Sequence, residues 1–175
     1  LETLSLLFVP PVKGGGKEIN MNKKNKSGIN MTKNYRKKNA ALLIDGENIS
    51  YKKAESILSA AKKQGVLDMN QVRVYGLQKD ASTKGWSEKA KELGIKDIRL
   101  CGGPSKDKVD RKIQKDALNM IENTKNINTV CISTSDKGYM GSINELRKGR
   151  KQVVVIGEAK APVKLRDACN RFVEV

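Results

Sequence analysis

The sequence predicts an α/β fold with a mainly parallel sheet, and three features of its 175 residues carry that expectation. Short continuous apolar runs end in polar loops, which is how buried parallel strands read. Between them lie segments whose apolar residues recur every three or four positions, the period of an amphipathic helix. The alternation runs from residue 40 to the end without an internal repeat, so helices are expected on both faces of the sheet through right-handed crossovers.

Element by element, Ala41 to Ile44 reads as a buried strand that enters a loop at Asp45-Gly46. Ser50 can cap a helix carrying Ala54, Ile57, Leu58 and Ala61, with Gly65 closing it. Val72 to Leu77 is a second strand, a helix covers about 84 to 93, and Ile98 to Cys101 is a third strand. The Gly102-Gly103-Pro104 turn precedes a longer helix over 107 to 123. Thr129 to Ser133 leads into a polar loop containing Asp136, and a helix near 139 to 148 ends at Gly149. Gln152 to Ile156 is β-branched strand, a short helix follows Pro162, and Phe172 to Val175 can add a last strand.

Residues 1 to 39 differ in kind, with nine Lys or Arg against Glu2 and Glu18, many Asn and Gly, and little periodicity. A disordered basic leader is expected there, with the folded domain at 40 to 175. Met21 and Met31 precede the first strand, so part of the leader reads as upstream sequence, with a basic RNA-binding arm as the open alternative. Its apolar start, Leu1 to Val9, is too short to span a bilayer.

Composition excludes several chemistries. The chain has 35 Lys plus Arg, 19 Asp plus Glu and no His, a net charge of +16. Without imidazole there is no Ser-His-Asp or Cys-His catalysis and no histidine zinc site. Aromatic residues are 4% of the chain, too few for a stacking platform for single-stranded bases. The basic surplus favours a polyanion, nucleic acid or an anionic membrane face. Cys101, Cys131 and Cys169 are odd in number and far apart, which reads as reduced thiols in a cytoplasmic protein.

Acid, base and ligand work therefore falls to carboxylates. In an open parallel sheet, sites form beyond the carboxyl ends of the strands. The first strand delivers Asp45, with Glu47 and Asn48 in its loop, and the fourth delivers Ser133, Ser135 and Asp136 to the same edge. On the 107 to 123 helix, Val109, Ile113, Ala117 and Met120 form an apolar arc that Asp110 and Asp116 flank. Converging carboxylates without His suit hard divalent cations, magnesium or manganese, and point to phosphodiester hydrolysis on a polyanion held by the basic exterior. Helix-dipole compensation by Asp110 and a loop hydrogen bond to Asp116 are the plain alternatives.

At these residues the chain resembles a known family. Ala41-Leu42-Leu43-Ile44-Asp45-Gly46-Glu47-Asn48 with Ile49-Ser50, Val109-Asp110 with Asp116-Ala117, and Thr134-Ser135-Asp136 before Leu146-Arg147 look like the NYN domain of the PIN-like nuclease superfamily. Lys84-Gly85-Trp86, Ile156-Gly157-Glu158, Pro162, Leu165-Arg166 and Ala168-Cys169-Asn170-Arg171-Phe172 add to the likeness, which is closest to the LabA-like branch. The resemblance covers about 40 to 175. It implies a Rossmann-like three-layer α/β/α sandwich and a magnesium- or manganese-dependent ribonuclease with RNA as its partner. Asp45, Asp110 and Asp136 would be catalytic and metal-binding, with Asp116 as a further acidic position. Asn48 would orient the first loop or bind the metal through water, and Ser135 would support the fourth loop.

One departure stands out. The family commonly reads Ser-Asp-x-Asp-Phe where this chain reads Ser135-Asp136-Lys137-Gly138-Tyr139. Gly138 has no side chain to bind a metal, which leaves open a catalytically weak RNA-binding protein. A phosphatase or receiver-like use of Asp45 as nucleophile is the third reading. Lys106, Lys108 and Lys137 are candidates for RNA phosphates against simple surface charge. Trp86 is expected to be partly buried packing, Cys131 inert core, and Gly157 to Lys160 an ordinary loop.

Overall fold

The computed structural model describes residues 39–103, 107–124 and 126–175. The basic leader, but for Asn39, and the candidate Lys106 lie outside the described residues.

Six strands form one sheet: β1 (Asn39–Asp45), β2 (Val66–Leu77), β3 (Asp97–Cys101), β4 (Ile127–Ser133), β5 (Gln152–Gly157) and β6 (Arg171–Glu174). Their order is β3-β2-β1-β4-β5-β6 and every pairing is parallel. The chain first builds outward from β1 on one side, then returns to its other side. The direction of winding reverses between β1 and β4, where loops from the two strands diverge and leave room for a ligand.

The apolar runs explain the centre. Ala40 to Ile44 of β1 are all buried, and each fully buried Leu or Ile stabilises the fold by about 1.5–3 kcal/mol. Alternate side chains face opposite layers. Ala41 and Leu43 pack with Val109, Ile113 and Ile143, from α3 (Asp107–Asn123) and α4 (Met140–Lys148), and with Leu165 of α5 (Val163–Ala168). Leu42 and Ile44 pack with Ile57, Ala61 and Trp86, from α1 (Ala54–Lys62) and α2 (Ala81–Glu92). The expected α/β/α sandwich is thus present. Among the described residues no helix is long and apolar enough to cross a membrane.

Several local expectations change. β2 begins at Val66, earlier than its apolar run, because Leu67 pairs with Ala40 and Val72 with Leu42, and residues 68–71 bulge between them. A 3-10 turn, Tyr51–Lys53, follows Ser50, whose side chain accepts the Lys52 N–H. Gly65 does not act as a left-handed cap: Gln64 closes α1 through its backbone N–H to Ala61 and its side chain to Ala60, and positive φ among the described glycines belongs to Gly94 and Gly103. Asp80, not singled out from the sequence, caps α2 through the Ser82 N–H at 2.7 Å. Trp86 is fully buried, with its indole N–H donated to the Ile49 carbonyl at 2.9 Å. A burial this complete holds the first loop against α2.

Candidate functional site at the carboxyl edge of β1 and β4

Asp45 ends β1 and, two residues after Leu43, shares the face covered by α3. It is completely buried. The tight turn behind it depends on Gly46, where an added Cβ would lie 2.8 Å from both the Tyr75 carbonyl and the Trp86 ring. Four donors converge on the carboxylate. Oδ1 accepts the backbone N–H groups of Glu47 at 3.2 Å and Asn48 at 3.3 Å. Oδ2 accepts Asn48 Nδ2 at 2.7 Å and the Thr134 hydroxyl at 3.1 Å. Burial pushes the Asp45 carboxyl above its ordinary range, and the bonds from Asn48 and Thr134, with the nearby Tyr139 hydroxyl, oppose that rise.

The loop after β4 supplies the opposite wall. Thr134 Oγ also accepts the Asp136 N–H at 3.2 Å, so one hydroxyl ties Asp45 to the backbone that carries Asp136. Asp136 is half-buried, and its Oδ1 accepts the Gly138 N–H at 2.8 Å, capping the 3-10 turn Lys137–Tyr139 that opens α4. Ser135 supports the loop from behind by accepting the Glu158 N–H at 2.9 Å.

Asp110 completes the arrangement from the first turn of α3, half-buried at the margin of the apolar arc. Burial raises its pKa, the Tyr139 hydroxyl opposes, and repulsion from Asp45, Asp136 and Asp107 raises it further. Gly138 sits between two of these acids: a Cβ there would lie 3.3 Å from Asp110 Oδ2 and 3.4 Å from Asp136 Oδ1. The three leading candidates are therefore neighbours, although 91 positions separate Asp45 from Asp136 in the sequence.

Tyr139 and Thr134 were not singled out from the sequence as site residues. Tyr139 is fully buried, and burial together with Asp45 and Asp110 pushes its pKa far up. Both carboxylates act on its hydroxyl, yet neither accepts a hydrogen bond from it in ordinary geometry. Its signal was present in the departing motif, where this chain adds a hydroxyl at a position the family fills with Phe.

Asp116 belongs elsewhere. It is buried two turns along α3 and bound by Arg99 Nη1, by the Tyr75 hydroxyl at 3.0 Å, and by Lys112 at 3.5 Å. Arg99 also holds Asp97 with two bonds of 2.9 Å, so Asp116 is one member of an ion network on β3. The structure does not bring it to the other three acids. Lys108 folds back to the Gly102 carbonyl at 3.0 Å, while Lys137 is exposed beside Asp136. Cys131 is core, its thiol pushed up to about 12 by burial, and Cys101, Cys131 and Cys169 are all unpaired.

Whether this edge suits magnesium or manganese depends on open oxygens. Asp45 has none to spare, since four donors occupy its lone pairs. Asp136 Oδ2 and both oxygens of Asp110 take no hydrogen bond of ordinary geometry among the described residues. Among the same residues no three His, Cys, Asp or Glu side chains form a ready metal cage. The donor set fits an ion held by one or two carboxylates and otherwise by water and phosphate oxygens, which is the usual manner of magnesium.

No curated protein matches the chain significantly. Among solved structures, it is similar to the crystal structure of a protein of unknown function from Vibrio parahaemolyticus, at 18% identity and a TM-score of 0.63, covering 79% of this chain and 93% of that one. That likeness is one of fold. The family model for the NYN domain matches residues 39–175, every strand and helix described above. On that match, over a six-stranded parallel sheet with its acids at the switch point, the chain belongs to the NYN domain family, within the PIN-like nuclease superfamily.

Proposed function

We propose that this NYN domain hydrolyses RNA phosphodiester bonds at the Asp45–Asp110–Asp136 edge with magnesium or manganese, and that it lies in the LabA-like branch of the family. The observation that carries the reading is the convergence of acids at this edge: a Cβ on Gly138 would lie 3.3 Å from Asp110 Oδ2 and 3.4 Å from Asp136 Oδ1, and Asp45, Asp136 and Asp107 all repel the Asp110 charge. Like charges held together at a switch point favour a cation.

Asp110 and Asp136 would hold the ion, through the oxygens their own hydrogen bonds leave open. Such an ion polarises a phosphoryl oxygen and lowers the pKa of water. The protein's residues do the rest. Asp45, fixed by four donors, holds the Asn48 and Thr134 side chains in place, and Thr134 in turn sets the loop that aims Asp136. Lys137 lies beside the cluster for a substrate phosphate. The three unpaired thiols support a cytoplasmic location.

The test is cleavage of a labelled RNA by protein purified free of other nucleases, with manganese or magnesium, alongside Asp45→Asn and Asp136→Asn. Cutting that needs the ion and is lost in both variants supports the reading; cutting unchanged by them, or none at all, removes it.

A second reading, a catalytically weak RNA-binding protein, is favoured by Gly138. Gly138 brings no side chain between Asp110 and Asp136, where the family pattern carries another acid, leaving fewer ligands for a second ion. It predicts RNA binding that weakens with salt and survives Asp136→Asn.

A further inference from the structure

The opposite end of α4 carries a second feature. A cleft of about 970 Å³ opens at the amino edge of β4 and β5, lined by Arg147, Lys148, Arg150 and Lys151. Asn128, Asn144, Asn170 and Gln152 add carboxamides, and Glu145 is the one acid in this lining.

Its hydrogen-bond chemistry is biased toward donors. Asn170 Oδ1 is occupied by the Val153 N–H at 2.9 Å, which leaves its NH2 group as the half available to a ligand. Arg147 gives one N–H to the Ala168 carbonyl and Lys151 one to Ile127, both at 2.7 Å. Each bond fixes a side chain and leaves further donors on it. Glu145 is taken by Lys148 at 2.7 Å. No acceptor among the described residues takes a hydrogen bond from the Arg150 guanidinium.

Arg150 is also the one non-glycine residue among those described with positive φ, at 57°. L side chains rarely adopt that conformation, whereas glycine does so freely. Gly149 stands immediately before it, yet Gly149 has φ −71° and Arg150 takes the left-handed position. The helix terminus alone would be served better by glycine there. Strain at an unpaired guanidinium facing a basic cleft is the pattern of a residue kept for a ligand.

Gly141, Asn144 and Lys148 follow one stripe of α4 at helical spacing, all exposed, and Met140 directly follows the 3-10 turn of Asp136. α4 thus spans the roughly 13 Å from the acid cluster to the cleft, at about 1.5 Å per residue.

We infer that this cleft binds the sugar-phosphate backbone of an RNA strand that runs along α4 from the acid edge, with Arg150, Arg147 and Lys151 contacting phosphates. The identity of the polyanion as RNA rests on the function proposed above; the cleft's preference for a polyanion rests on its donors.

The experiment measures binding of a fluorescently labelled single-stranded oligoribonucleotide to the full chain, by anisotropy, in EDTA and across a salt series. Arg150→Gly should melt no lower than the parent, because it relieves the left-handed residue, and yet bind about fivefold more weakly at 0.1 M salt. Arg150→Gly with Lys151→Gln should lose about 25-fold, and the slope of log K against log salt should shrink by about 0.7 per phosphate contact removed. Unchanged affinity and slope in both variants overturn the cleft and leave the acid edge untouched. No RNA binding by the parent at low salt removes the RNA reading of both. Loss of binding to anionic lipid vesicles with no loss on RNA would reassign the cleft to a membrane face and likewise overturn the inference.

Discussion

The Thr134 hydroxyl donates to Asp45 Oδ2 at 3.1 Å while accepting the Asp136 N–H at 3.2 Å. One small side chain thereby joins the ends of the two central strands. The carboxylate it touches is buried and saturated, and the one it positions is half open.

Asp45→Asn exchanges one acceptor oxygen for an NH2 group that faces donors. Relief from burying a charge offsets part of the loss, and a net destabilisation of about 1–2 kcal/mol is expected. Urea denaturation measures it, and RNA cleavage should fall with it. Equal stability of the two proteins would show that the four bonds do not fix this carboxylate in its ionised form.

Asp110 should make stability fall as pH rises. Its folded pKa lies above the ordinary 3.8, so between those two values the native state holds the proton more tightly than the unfolded chain. Stability then decreases as pH climbs through that window, and the penalty persists above it. Asp110→Asn should therefore raise the melting temperature at pH 7 with no divalent ion, and the gain should vanish toward pH 3. Magnesium should raise the melting temperature of the parent and not of this variant.

Tyr139→Phe separates packing from chemistry. The hydroxyl has no hydrogen bond of good geometry, so its removal should change stability by less than about 1 kcal/mol in either direction. It also lowers the pKa of both Asp45 and Asp110, and without it the acid limb of the pH profile for cleavage should move to higher pH. A profile that stays in place would make Tyr139 a core residue only.

Asp116→Ala should cost stability with little effect on catalytic turnover. The variant leaves Tyr75 without its buried partner and Arg99 with Asp97 alone, a loss of about 1–3 kcal/mol. Denaturation and cleavage rates measured on the folded fraction distinguish this from the Asp45 result.

Much of this could be read from the sequence because its local signals agree. Ala41 to Ile44 is short and apolar on both faces, as a central parallel strand between two helical layers must be, and Val109, Ile113, Ala117 and Met120 can share a face only in a helix. The start of β2 escaped because Asp68, Asn70 and Gln71 are polar, bulge from the ladder, and belong to a stretch, residues 66–71, in which nothing is buried and no apolar run marks a strand. That Asp45, Asp110 and Asp136 lie near one another was legible because strand ends and helix phase place carboxylates directly. Asp116 flanks the same arc as Asp110, and helix phase alone does not show that Arg99 and Tyr75 are waiting for it across β2 and β3. Tyr139 escaped for the same reason: what an aromatic hydroxyl meets in the interior is decided by tertiary contacts.

The position of β1 between β2 and β4 has a consequence for assembly. β4 must return across 89 residues before Thr134 meets Asp45, and closing a loop of that length costs about 4 kcal/mol of chain entropy. The β1–β4 ladder and the two apolar layers beside it must repay that before the acids come together. A nascent or nicked chain that stops short of β4 can hold β1, β2 and β3, but it has no acid edge. Whatever chemistry resides there switches on only with completion of the sheet.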